Sequence, residues 1–97
     1  MIMTVVEAHV AEEHWEALQD AYATGVKQLE PGIVQTFLVH DLNDSTVWRI
    51  MMIWASLEAL MAVRQSRQIS AGVLMFRAAG AEPTHSVFDI AMQAKAD

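Results

Sequence analysis

The 97-residue chain predicts an α+β domain of ferredoxin-like type, βαββαβ, with a four-stranded antiparallel sheet covered on one face by its helices. Three observations lead there. Four segments, 3–10, 33–40, 46–54 and 84–92, have the composition or the two-residue alternation of strands. Two stretches, 11–29 and the one opened by Ser56, carry apolar residues at helical spacing. The breaks between them, Glu30-Pro31-Gly32, Asp41–Ser45 and Glu82-Pro83, consist largely of residues that favour turns.

The first strand sets Thr4, Val6, Ala8 and Val10 on one face and Met3, Val5, Glu7 and His9 on the other. From Ala11 to Leu29, the residues Trp15, Leu18, Tyr22, Val26 and Leu29 form one apolar stripe. Glu12, Glu13 and Glu16 complement the positive end of the helix dipole, and Pro31-Gly32 stops the helix. Ile33–His40 is a second strand, joined through the polar turn to the third. That third strand, Thr46–Trp54, holds β-branched, aromatic and methionine residues with one charge, a composition suited to cover on both faces. Ser56 follows it almost at once as a helix cap, with Glu58 in the first turn, so Trp54 stands where the sheet passes the chain to a covering helix. Leu57, Leu60, Met61 and Val63 are the apolar residues of that helix, and Arg64 and Arg67 belong to its polar C-terminal end. Ile69–Ala79 reads as a short helix begun near Ser70 and closed by Gly80. In the last strand Ser86, Phe88, Ile90 and Met92 alternate with His85, Val87, Asp89 and Ala91. The domain is expected to span 1–92, with 93–97 as a frayed tail that has nothing to bury.

The chain is 54% hydrophobic, more than one small globule needs inside, and this excess points to a second apolar surface buried in a homodimer. A formal charge of −6 disfavours nucleic acid and anionic membrane as partners, since the six basic residues do not gather into a stripe. Without cysteine there is neither a disulfide framework nor thiolate chemistry. The N-terminal residues lack the pattern of a signal peptide, and no apolar run reaches the length of a membrane span, so a cytoplasmic location is expected.

No metal-ligand spacing is present: His9 and His14 straddle a strand-to-helix junction, and His40 and His85 stand alone. Taken singly, each histidine reads as an exposed residue at an element end. His9 shares a face with Glu7, which Arg49 of the neighbouring third strand could reach, as a catalytic cluster or as an ion pair at an interface. Trp48, Ile50, Met52 and Trp54 form the other face of the third strand, with Tyr22, Met61, Met75 and Phe76 available from the helices to close over them. Flat aromatic and flexible methionine side chains make either an ordinary core or a pocket for a planar apolar ligand. Trp54, Trp48 and Tyr22 each bring an N–H or O–H that needs a partner when buried. Arg64, Arg67 and Arg77 form a solvated face or a carboxylate-binding group.

The amphipathic first helix, Glu30-Pro31-Gly32, the strand ending near Asp41, the run Trp54-Ala55-Ser56-Leu57-Glu58-Ala59 and the closing Glu82-Pro83 together resemble the antibiotic biosynthesis monooxygenase domain, over roughly residues 3 to 90. The resemblance implies a dimeric α/β barrel with a small pocket in each subunit. Activities in that family include cofactor-free oxidation of quinols and polyketide phenols, and haem degradation. The haem-degrading branch relies on a first-strand asparagine, the strand-end tryptophan and a histidine on the next helix, and only the tryptophan, Trp54, is present here. Where relatives often carry a histidine and a phenylalanine after the second helix, this chain reads Arg67-Gln68-Ile69-Ser70-Ala71, which weakens the link to the quinol-oxidising members. The expectation is a cofactor-independent monooxygenase of a small phenolic or quinol compound. His9 and Trp54 are its expected catalytic residues, and Trp48, Tyr22, Met52, Met61 and Phe76 its expected substrate-binding residues, with neither cofactor nor metal. The alternative is a dimeric module that binds a small hydrophobic molecule unchanged. The homodimer is expected to form through the sheet face carrying Val5, Met51, Ile53 and Val87 with Glu7, Arg49 and Asp89.

Overall fold

A computed structural model of the chain describes residues 1–96; Asp97, the last residue of the expected tail, lies outside them. In chain order the elements are β1 (Ile2–His9), α1 (Trp15–Gly25), β2 (Ile33–His40), β3 (Val47–Trp54), α2 (Leu57–Gln65), α3 (Ala71–Ala78) and β4 (Thr84–Asp89). Short 3₁₀ turns at Glu12–His14 and Val26–Gln28 flank α1, so the segment expected as one long helix is α-helical only in its middle. The four strands form one antiparallel sheet in the order β2-β3-β1-β4, the ferredoxin-like arrangement that the chain order implies.

Local signals end the elements where the residues suggest. Gly32 adopts a φ of +97° in the turn before β2, where a Cβ would stand 2.5 Å from that of Ala59. The Ser56 hydroxyl accepts a hydrogen bond from the Ala59 N–H at 3.1 Å, and Ser70 caps α3 in the same way. A Glu30 carboxylate oxygen also accepts from the Ala71 N–H at 2.8 Å, so the residue that ends the α1 segment supports the start of α3.

The core lies between the sheet and the helices. Val6, Leu18, Ile50, Met52, Trp54 and Phe76 are its fully buried large side chains. The helix α3 can approach closely because Gly72 faces Val6: a Cβ there would come within 3.1 Å of the valine methyl. The opposite sheet face carries no helix. Register places Val5 across from Met51, Met3 across from Ile53 and Phe37 across from Met51, with Phe37 43% and Phe88 48% exposed.

Two expectations about β4 are corrected. Val87 pairs with Thr4 and Asp89 with Ile2, so both lie on the helix side; Ser86 and Phe88, paired with Val5 and Met3, occupy the uncovered face instead. An alternating segment with apolar groups on both faces does not disclose which face turns inward, and a one-residue slip in register exchanges them. The strand also ends at Asp89 and not at Met92, because its partner β1 begins at Ile2 and leaves only one further backbone bond, from the Ile90 N–H to the Met1 carbonyl.

Candidate functional site

A cavity of about 580 Å³ lies between the sheet and the α2–α3 pair. Thr4, Val6, Met52 and Trp54 form its floor from β1 and β3. The helix α2 contributes Leu60, Val63 and Arg64, the connection to α3 contributes Arg67, Gln68, Ile69 and Ser70, and α3 contributes Val73 and Arg77. His85 of β4 completes the rim. The Trp54 indole N–H donates to the Thr4 hydroxyl at 3.0 Å, both side chains being buried. Thr4 pairs with Met52, two residues before Trp54, so this bond runs diagonally across the two strands and fixes the plane of the indole at the strand end. A second depression of about 640 Å³, between α1 and α3, is more open and follows exposed residues such as Asp20, Thr24, Lys27 and Gln28. It offers no aromatic wall.

Of the seven residues singled out in the sequence, the fold brings Met52 and Trp54 together in the cavity. Phe76 is fully buried in the core. Trp48 stands at the other end of β3, where His40 stacks on it at 3.9 Å between ring centroids and Trp15 meets both rings edge-on. Its indole nitrogen is buried without a hydrogen-bond partner among the described residues. Tyr22 is half-buried, with its hydroxyl 3.4 Å from that of Thr36. Met61 is 39% exposed and does not line the cavity. His9 is exposed at the end of β1, with Nδ1 2.7 Å from the Thr46 hydroxyl. Alternation from Glu7 turns it to the uncovered side of the sheet. Helical and strand spacing place these residues on faces, but which end of the sheet becomes hollow depends on how far each helix extends over it.

The family of the chain is decided by its sequence. The family profile described as antibiotic biosynthesis monooxygenase matches residues 1–73. The chain belongs to the antibiotic biosynthesis monooxygenase family. No curated protein matches it in sequence. Among solved structures it is similar to a Deinococcus radiodurans protein assigned to the antibiotic biosynthesis monooxygenases, at 12% identity and a TM-score of 0.71, over 100% of this chain and 99% of that one. A Nitrosomonas europaea protein with the same assignment has 15% identity and a TM-score of 0.70, over 95% and 100% of the two chains. SnoaB from Streptomyces nogalater, a cofactor-independent oxygenase, has 14% identity and a TM-score of 0.63, over 95% and 94%. Likenesses at this identity concern the fold.

The match to the antibiotic biosynthesis monooxygenases ends inside α3, so Arg77 and His85 come from a part of the chain that the family profile does not reach. His85 is exposed along β4, and partial desolvation against the cavity rim, helped by the positive charge of Arg64, lowers its pKa below its ordinary value, which favours the neutral imidazole near pH 7. Arg77 donates to both carboxylate oxygens of Glu82, at 2.9 and 3.2 Å. On the other side of the sheet Arg49 binds Glu7 and Asp41. The Asp41 carboxyl is held down to about 2 by hydrogen bonds from the Asp44 backbone, the Arg49 side chain and the Asn43 backbone. Arg49 is thus neutralised by structural partners, and the pair of Glu7 and Arg49 foreseen from the sequence stands apart from the cavity. His85 reads in sequence as one more isolated histidine; its placement opposite Val6 depends on the β1–β4 register. Among the described residues no group of three potential ligands gathers as a metal site would require, and no helix is long and apolar enough to cross a membrane.

Proposed function

We propose that this protein is a cofactor-independent monooxygenase of a small phenolic or quinol compound, with Trp54 as a wall of the substrate site and His85 as the proton acceptor. The observation that carries this reading is the cavity itself: an apolar floor ending in a hydrogen-bonded tryptophan, with a neutral imidazole on its rim. His9, expected as the base from the sequence, is not among the residues that line this cavity. A phenol with a pKa near 10 gives its proton to an imidazole only against the equilibrium, so a base helps only where the anion is stabilised, and the positive rim supplies that field. The phenolate is electron-rich enough to react with dioxygen. One oxygen atom bonds to a ring carbon and the other leaves as water, taking the ring hydrogen and the phenolic proton, so the phenol ends as a quinone. Apolar walls favour this course by keeping bulk water from the reactive anion.

The same reading includes a homodimer formed through the uncovered sheet face. Met3, Val5, Met51, Ile53, Phe37 and Phe88 share that face with the Glu7–Arg49 pair, a mostly apolar surface of the kind that association buries. Oxygen uptake with a panel of quinols and hydroxylated aromatics tests the activity. Turnover that falls in a Trp54→Ala variant supports the assignment, and no uptake above buffer with any compound overturns it. Ligands that raise the melting temperature and return chemically unaltered would mark a binding module instead.

A further inference from the structure

We propose that the cavity takes a phenolic molecule that carries a carboxylate, and that Arg64 and Arg67 hold this carboxylate at the mouth. The inference deepens the substrate assignment above and rests on reading the cavity as the substrate site. Its first ground is the distribution of charge. The chain has a formal charge of −6 and only six basic residues, yet three of those six line this one cavity, and among the described residues no aspartate or glutamate does. A neutral apolar ligand requires no such concentration.

The second ground is the state of the three guanidinium groups. Arg77 is occupied by both oxygens of Glu82. Arg64 and Arg67, both exposed residues on the cavity lining, have no side-chain hydrogen bond or ion pair among the described residues, so their donors are free to take an anion. A planar guanidinium matches a carboxylate in a two-point geometry that an ammonium cannot reproduce.

The backbone supplies the third ground. Arg67, two residues beyond the end of α2, has a φ of +60°, the only positive value outside glycine among the described residues. Its N–H donates to the Arg64 carbonyl at 3.2 Å as part of the helix stop. Helix stops in this conformation select glycine, because a Cβ is unfavourable there. The helix dipole accounts for a cation at Arg64, in the last turn of α2, but a strained position just beyond the helix gains nothing in fold from a long side chain. A ligand contact does account for it.

The test compares 1-hydroxy-2-naphthoate with 1-naphthol, two ligands of the same ring and hydroxyl that differ in the carboxylate. Affinity for the full-length protein is read by quenching of tryptophan fluorescence or by calorimetry. The acid is expected to bind about tenfold more tightly, equivalent to about 1.4 kcal/mol, and the preference should shrink between about 0.05 and 0.5 M salt as charges are screened. Arg67→Gly should lose most of the preference while melting no lower than the wild type, since glycine fits the helix stop. Arg64→Gln should lose the preference as well. Equal affinities for the two ligands, a preference that survives Arg67→Gly, or binding of neither ligand each overturn the proposal. Tight, arginine-dependent binding of the acid without oxygen uptake from any phenol would leave the anion site standing and remove the oxygenase. Turnover of neutral phenols with no preference for the acid would do the reverse.

Discussion

Replacing Thr4 by valine removes one hydroxyl and almost no volume, and the consequence follows from the burial of its partner. Thr4 is 5% exposed and Trp54 1%, and the hydroxyl at 3.0 Å is the acceptor for the indole N–H. Valine leaves that donor inside the protein without an acceptor, which costs about 1–3 kcal/mol, where a typical satisfied bond contributes only about 1. Valine's better fit to a strand returns a few tenths of a kcal/mol. A domain of this size shifts its melting temperature by roughly 4–8 °C per kcal/mol, so Thr4→Val should melt about 4–20 °C below the wild type. The comparison requires one fixed protein concentration, because an associating protein melts at a concentration-dependent temperature. Trp54→Phe removes the donor, and adding Thr4→Val in that background should cost clearly less than it does alone, a coupling of at least about 0.5 kcal/mol. If Thr4→Val melts within about 1 °C of the wild type, or if the two changes are additive, the indole N–H has another partner and the account of how Trp54 is oriented fails.

Gly32→Ala should destabilise by about 2–4 kcal/mol, because a φ of +97° is unfavourable for any side chain and the new methyl meets Ala59 at 2.5 Å; denaturant unfolding checks this, and a change below about 1 kcal/mol would refute it. Ile53→Asp puts a lone charge into the uncovered sheet face and should yield unfolded or aggregated protein, whereas Gln19→Asp on exposed α1 surface should be tolerated; sedimentation of a folded wild-type monomer at micromolar concentration would contradict the proposed dimer. His85 has a pKa below its ordinary value of 6.5, so the folded state resists its protonation, and the stability it contributes is complete above that value and lost as the pH falls below it. His85→Gln should therefore lose slightly less stability than the wild type between about pH 7.5 and 5, a small difference because the side chain is exposed, and parallel melting curves for the two proteins would show that its surroundings do not hold the imidazole neutral.

Signals that act over a few residues were legible along the chain. The cap at Ser56, the turn at Gly32, the polar loop before β3 and the apolar run that ends at Trp54 each act through neighbours in sequence, and together they specify the element order and, through it, the sheet. The hydrophobic excess argued from composition is matched by a sheet face that no helix covers. What the tertiary structure decided was convergence. Trp48 and Trp54 belong to the same face of one strand, yet one packs in an aromatic cluster and the other lines a cavity, because the helices reach the two ends of the sheet differently. His9 and His85 both look like lone strand histidines, and only strand pairing sends His85 to the helix side across from Val6 and leaves His9 on the other. The side-chain period of a strand is two, so one step in register exchanges inside for outside. Arg64, Arg67 and Arg77 likewise line one cavity only because α2 and α3 bound it from different parts of the chain, and an arrangement of that kind belongs to the packed chain and not to any window of its sequence.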